Sequence, residues 1–176
     1  MQHLSRQQLL ALLKTARDQS ERDYLILLVG FSHGLRIREI LSLTPKNFSD
    51  GLIIVQRCKG SLKTVQPLVS HSEPLLDEKK RMTRYLQGFG SHQRLFPISR
   101  QYFHRRMIAY GQAVGIARPL LHPHILKTTC GMLTIEKAGI ENLRQYLGHK
   151  SIASTGAYLK VDDQMASRAI SAAMRF

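Results

Sequence analysis

Between Lys79 and Ile135 the chain carries no aspartate or glutamate, while Lys79, Lys80, Arg81, Arg84, Arg94, Arg100, Arg105, Arg106, Arg118 and Lys127 add ten positive charges. Cations at that density suit a polyanion, since each one that meets a phosphate displaces a counterion and a guanidinium can bind two phosphate oxygens at once. Chemistry on such a partner has two routes. One uses metal ions held by paired carboxylates, and a stretch without acids has none to offer. The other surrounds a phosphodiester with fixed cations, which stabilise the charge gathering on its oxygens during displacement. The second route fits these residue types and calls for neither metal nor cofactor. Signatures of other chemistries are missing: there is no GxGxxG, no P-loop, no HExxH and no serine nucleophile elbow.

The elements that must position these side chains are mostly helical. Ser5 with Gln8 makes a capping box before an apolar stripe at Leu9, Leu10, Leu12 and Leu13. A second, strongly apolar helix is predicted from Glu21 to Ser32. A third period runs from Leu35 to Leu43 and is stopped at Thr44-Pro45, because the residue before proline avoids the helical region. Leu52–Gln56 and Thr64–Val69 read as two strands of a hairpin around Gly60. Helical pattern returns from Glu73 to Gln87, and Arg94–Ile98 is a third strand or an extended connection. Ser99 caps a helix with Tyr102, Met107, Tyr110 and Val114 on its inner side. Helices follow at His124–Ala138, ended by Gly139, at Glu141–Leu147, ended by Gly148, and from Ser151 towards Tyr158. Gly131 lies inside the first of these and marks the close approach of another element. The expected fold is α+β, mostly helical with one small antiparallel β-sheet.

The whole chain repeats the charge bias of its middle. Its 176 residues carry 26 Lys and Arg against 12 Asp and Glu, a net charge of +14, while 43% of them are hydrophobic. That is enough apolar material for a packed domain rather than a basic tail. Anionic lipid is the weaker reading of the charge, because the longest apolar run, Tyr24–Phe31, is far too short to span a membrane. The N-terminus has no signal-peptide pattern, and Cys58 and Cys130 have no metal-ligand spacing. A cytoplasmic protein with two free, structural thiols is expected.

One set of motifs is specific in its order. Phe31-Ser32-His33-Gly34-Leu35-Arg36-Ile37-Arg38-Glu39-Ile40, the Lys59 hairpin, His124-Ile125-Leu126-Lys127, Leu147-Gly148-His149-Lys150-Ser151 and Tyr158 follow one another as in the tyrosine recombinases, or phage integrases. The chain resembles that family from Leu4 to about Val161. Within it, His122-Pro123-His124 with Cys130-Gly131 is most similar to the compact fimbrial phase-variation recombinases of enterobacteria. Singly, each residue has an ordinary structural reading: Lys59 as a turn lysine, His124 as a cap, Tyr158 as a core ring. It is the joint order that favours function.

The resemblance implies roles. Arg36 grips non-bridging oxygens of the scissile phosphate, and Glu39, one turn on, supports its helix. Lys59 protonates the leaving 5′-hydroxyl, His124 and Lys127 fill the H-x-x-R positions, and His149 fills the second histidine position. Tyr158, nine residues later, is the nucleophile. A tyrosine with a pKa near 10 needs neighbouring cations and a histidine to lose its proton. Lys63, Arg100, Arg105 and Arg106 are expected on the DNA backbone.

Lys127 is the departure, since lysine keeps the charge of the usual arginine but loses its planar fork. The expected function is therefore site-specific DNA recombination through a 3′-phosphotyrosyl intermediate, with activity lowered by Lys127. The alternative is a DNA-binding regulator or accessory protein on the same fold. The implied partners are double-stranded DNA, further copies of the chain (dimer to tetramer) and accessory DNA-bending proteins. The setting is bacterial or phage-encoded and nucleoid-associated. The expected organisation is a catalytic domain at 1–161 and a helical tail at 162–176 that docks on a neighbouring protomer, without an N-terminal core-binding domain.

Overall fold

A computed structural model describes residues 2–58, 60–156, 158, 170–172 and 174. Among the described residues, eight α-helices and a three-stranded sheet follow one another: α1 (Arg6–Gln19), α2 (Glu21–Ser32), α3 (Ile37–Leu41), β1 (Phe48–Ser49), β2 (Leu52–Val55), β3 (Thr64–Pro67), α4 (Glu78–Leu86), α5 (Arg100–Ala113), α6 (His124–Ala138), α7 (Ile140–Tyr146) and α8 (Ala153–Gly156). The α+β reading holds.

Local signals decide most helix starts. Ser5 accepts the Gln8 N–H while Gln8 returns a side-chain bond to the Ser5 N–H. Ser20 and Ser99 accept from Asp23 and Tyr102 in the same way. The central element is α2, whose residues from Asp23 to Gly30 are all buried. A helix apolar around its circumference must be covered on every side, and α1, α4 and α6 supply the cover. Its one buried acid, Asp23, is met by Arg22 (2.9 Å), by the Tyr110 hydroxyl (2.7 Å) and by Arg106 (3.3 Å), which ties α5 to the bundle.

The sheet is antiparallel in the order β1-β2-β3, with Ile53 opposite Gln66 and Val55 opposite Thr64. The two-residue β1, paired with Leu52 and Ile53, carried no sequence signal of its own. Arg94–Ile98 is an extended connection rather than a strand; Leu95 donates its N–H to Leu43 O (3.0 Å) and buries itself with Phe96. Three helices are shorter than expected, among them α8, which starts at Ala153 rather than Ser151. Glu73–Leu76 forms a turn, and α4 begins after Asp77 accepts the Lys80 N–H. The third helix starts only at Ile37, because Gly34 takes a left-handed turn (φ +56°). Tyr102, expected inside, is 39% exposed with the Arg22 guanidinium over its ring; Phe103 takes the inward position. Among the described residues no helix is long and apolar enough to cross a membrane.

Candidate functional site

The turn from α2 to α3 delivers Arg36. Its backbone N–H goes to Glu39 Oε2 (2.7 Å), and its Nη1 reaches Glu39 Oε1 (3.3 Å) and Ser61 Oγ (3.0 Å). Glu39 is a buried hub that also accepts the Cys58 N–H (2.9 Å) and Arg57 Nη1 (3.3 Å). Burial alone raises a carboxyl pKa, but here the N–H groups of Cys58 and Arg36 and the charges of Arg57 and Arg36 outweigh it and hold Glu39 below its ordinary value. The support expected of Glu39 therefore extends from its own helix to the hairpin.

Lys59 lies outside the described residues. Its neighbours in sequence lead into the site: Cys58 is bound to Glu39, Ser61 pairs with His149 as an isolated β-bridge, and Leu62 donates its N–H to Gly148 O (2.9 Å). Gly148, at φ +66°, is a position that L side chains rarely adopt, and a Cβ there would meet Leu62 O at 2.9 Å.

Helix α6 carries His124 and Lys127. His124 is exposed at its first residue, and partial desolvation with the charges of Lys127, His122 and Arg36 lowers its proton affinity. Lys127 is buried and donates to Leu147 O (3.0 Å). Burial, Arg57 and Arg36 push its pKa down to about 8, against the opposing effect of Glu39 and Cys130. His149 follows α7, hydrogen-bonds Thr155 Oγ1 through Nδ1 (3.0 Å), and is held neutral with a pKa of about 4 by burial and by Lys127, Arg36, Arg57 and His124. The Tyr158 ring stacks on His149, 6.4 Å between centroids and 11° from parallel. It is buried, and burial with Cys130 raises its pKa while Arg36 opposes.

Arg36, His124, Lys127, His149 and Tyr158 thus meet in one electrostatic neighbourhood. A cleft of about 200 Å³ opens there, lined by Arg36, Ile37, Arg38, Cys58, Arg100 and His124. Arg100, expected on a DNA backbone, lines this cleft, and Arg38 beside it went unremarked in the sequence. Lys63 and Arg105 are exposed and do not line this cleft. Arg106 is not brought to the cleft: its guanidinium is held by Asp23, by the Tyr110 hydroxyl (2.7 Å) and by Gln19 (3.2 Å), and lies over the Tyr110 ring.

Arg57 is a buried member of this cluster that the sequence reading passed over. Its side chain is fully buried. The signal was available, because burial alternates along β2 through Ile53 and Val55, and continuing that period puts Arg57 on the inner face.

Positive charge gathered around a single buried carboxylate can receive an anion, and a tyrosine hydroxyl beside it can serve as a nucleophile. Residues 2–165 match the model of the phage integrase family, and the chain belongs to that family, the tyrosine recombinases. It is similar to the type 1 fimbriae regulatory protein FimE of Escherichia coli strain K12, 31% identical over 152 residues that cover 78% of this chain and 73% of FimE. FimB of the same strain is 28% identical over 166 residues, 88% of this chain and 82% of FimB. Among solved structures, XerA recombinase superposes with a TM-score of 0.74 at 20% identity, covering all of this chain and 66% of that one. XerH bound to difH substrate, a pre-cleavage complex, gives 0.75 at 18% identity, covering 96% of this chain and 53% of that one. At these identities the structural likeness shows the fold, and the chain spans between half and two thirds of those two recombinases.

Proposed function

We propose that this protein is a site-specific DNA recombinase that breaks and rejoins duplex DNA through a 3′-phosphotyrosyl intermediate. The observation that carries this reading is the convergence of Arg36, His124, Lys127 and His149, from three separate parts of the chain, beside the ring of Tyr158. A phosphate entering the cleft meets Arg36 and His124 and offsets the repulsion among the cations. Tyr158 Oη attacks the phosphorus, losing its proton towards the neutral His149. The bond from phosphorus to the 5′ oxygen breaks, Lys59 gives the leaving oxygen a proton, and the tyrosine keeps the phosphoryl group on the 3′ end. A second 5′-hydroxyl then reverses the step on a new strand, so the energy of the ester is conserved. Lys127, buried with its ammonium on Leu147 O, brings charge to the site without the planar fork of an arginine, which slows the reaction.

Arg100, Lys63 and Arg105 hold the flanking DNA backbone. The protein acts on nucleoid DNA in the cytoplasm, as a dimer or tetramer, with DNA-bending proteins assisting assembly. The tail from residue 162 joins protomers: Ile170 and Met174 are 56% and 68% exposed in the single chain. An apolar groove of about 460 Å³, bounded by Leu9, Leu10, Phe31, Cys130, Leu133 and Leu143, is its seat on a neighbouring copy.

The test is covalent capture on nicked suicide duplexes of randomised sequence. The wild-type chain yields a denaturation-resistant adduct and Tyr158→Phe yields none. Binding without any adduct across the library overturns the recombinase reading in favour of a DNA-binding accessory protein.

A further inference from the structure

Arg57 takes no part in the reaction above, yet every N–H of its guanidinium is donated. Nε goes to Thr64 Oγ1 (3.0 Å), Nη1 to Gly34 O (3.1 Å) and Glu39 Oε2 (3.3 Å), and Nη2 to His33 O (2.9 Å) and Tyr146 O (3.2 Å). A guanidinium has five such donors, and all five find an acceptor here. The side chain has no exposed surface, so DNA cannot touch it.

What those acceptors adjoin gives the arrangement its meaning. Gly34 O lies two residues before Arg36. Glu39 carries Arg36 on one side and the Cys58 N–H, next to Lys59, on the other. Tyr146 O precedes Leu147, whose carbonyl holds Lys127, and lies three residues before His149. Thr64 fixes the far strand of the hairpin. The stem of Arg57 packs where a side chain at Gly148 would stand, with Cγ 3.3 Å from that point. The catalytic set comes from parts of the chain far apart in sequence, and one buried side chain bonds to three of them, the Arg36 turn, the hairpin and the end of α7.

We propose that Arg57 is the positioning residue of the recombination site: through five donated hydrogen bonds it holds the Arg36 turn, the Lys59 hairpin and the Leu147–His149 turn in one arrangement. This rests on the recombinase reading. Arginine suits the task because its rigid fork serves several acceptors at fixed angles, whereas a lysine ammonium is a single point charge on a flexible stem. Arg57 also acts electrostatically, since its charge lowers the proton affinity of both Lys127 and His149.

The experiment uses the duplex captured by the wild-type chain and measures single-turnover cleavage at saturating DNA, across a pH series, for Arg57→Met, Arg57→Lys and Thr64→Val. Misplacing reacting groups by about 1 Å costs on the order of 100-fold in rate, and that loss is expected for Arg57→Met with DNA affinity kept within a few-fold. Arg57→Lys does not restore the rate. Thr64→Val, isosteric and without the Nε acceptor, slows cleavage about fivefold. The alkaline limb of the rate supplies a readout that a purely structural role would not move. Lys127 is faced by Arg57 from the hairpin, Arg36 and Glu39 from the α3 turn, Cys130 from its own helix and His149 after α7. Removing the Arg57 charge raises its pKa, so the limb shifts to higher pH. Wild-type rate and limb in Arg57→Met, or a wild-type rate in Thr64→Val should Arg57→Met fail to fold, overturns the proposal alone. No adduct from the wild-type chain overturns the recombinase reading and this proposal with it.

Discussion

The ring of Tyr158 lies against the bare Cα of Gly131: a Cβ at position 131 would stand 2.6 Å from Cε1, 2.8 Å from Cδ1 and 2.9 Å from Cζ. The close approach expected of a glycine inside α6 is made by the proposed nucleophile itself. Alanine at 131 gains about 1 kcal/mol of helix propensity but forces the ring away from its seat, at a cost of about 1–3 kcal/mol. Gly131→Ala should lower the melting temperature and speed nitration of Tyr158 by tetranitromethane. Equal melting temperature and nitration rate in the two proteins would contradict the contact.

Lys127 should impose an alkaline limit on cleavage. Its pKa of about 8 in the folded protein lies below the ordinary 10.5, so the folded chain loses this charge as pH rises through 8. A rate that depends on the ammonium falls over that interval. Stability moves the other way: between about 8 and 10.5 the unfolded chain binds the extra proton, so unfolding free energy rises with pH. Lys127→Arg should raise the rate and abolish the alkaline fall, because arginine stays charged throughout. A variant with the same pH profile as wild type would remove Lys127 from the reaction.

Two arginines on α5 should separate by salt dependence. Arg100 lines the cleft and Arg106 is engaged by Asp23 and Tyr110. Arg100→Ala should reduce the slope of log affinity against log salt by about one phosphate contact. Arg106→Ala should leave that slope unchanged and lower stability by about 1–3 kcal/mol, since buried Asp23 loses a charged partner. A reduced slope for Arg106→Ala would place it on DNA after all.

Truncation after Val161 removes the apolar tail positions Met165, Ala169, Ile170, Ala173 and Met174. If these join protomers, the shortened chain binds a single site as before but forms fewer higher complexes on DNA, read by native gel or by mass photometry. Unchanged assembly would mean that the tail packs on its own chain.

How legible each feature was in the sequence follows from how local its cause is. The capping box of Ser5 and Gln8 and the span of α2 and of α6 were read correctly, because each rests on side chains within a turn or two of one another. Tyr102 was misplaced because apolar period alone cannot tell which of two adjacent aromatics faces inward, and Phe103 takes that position. Arg106 read as a DNA-backbone contact and Arg57 as an ordinary positive charge of the hairpin. Their partners, Asp23 and Tyr110 for one and His33, Gly34 and Tyr146 for the other, are up to 89 residues distant.

The sequence by itself determined the chemistry on offer: a chain rich in cations, poor in acids, with an arginine, two lysines, two histidines and a tyrosine in the order of a known family. Only the tertiary structure decided which of these side chains come together in one field and which are engaged elsewhere. Arg36 shares one field with His124, Lys127 and His149 and lowers the hold of these three on a proton, whereas Arg106 is bound to a buried carboxylate. The physical reason is range. Charge and helix propensity are properties of residues and near neighbours, but burial and mutual electrostatics exist only once segments far apart in the chain have been packed together.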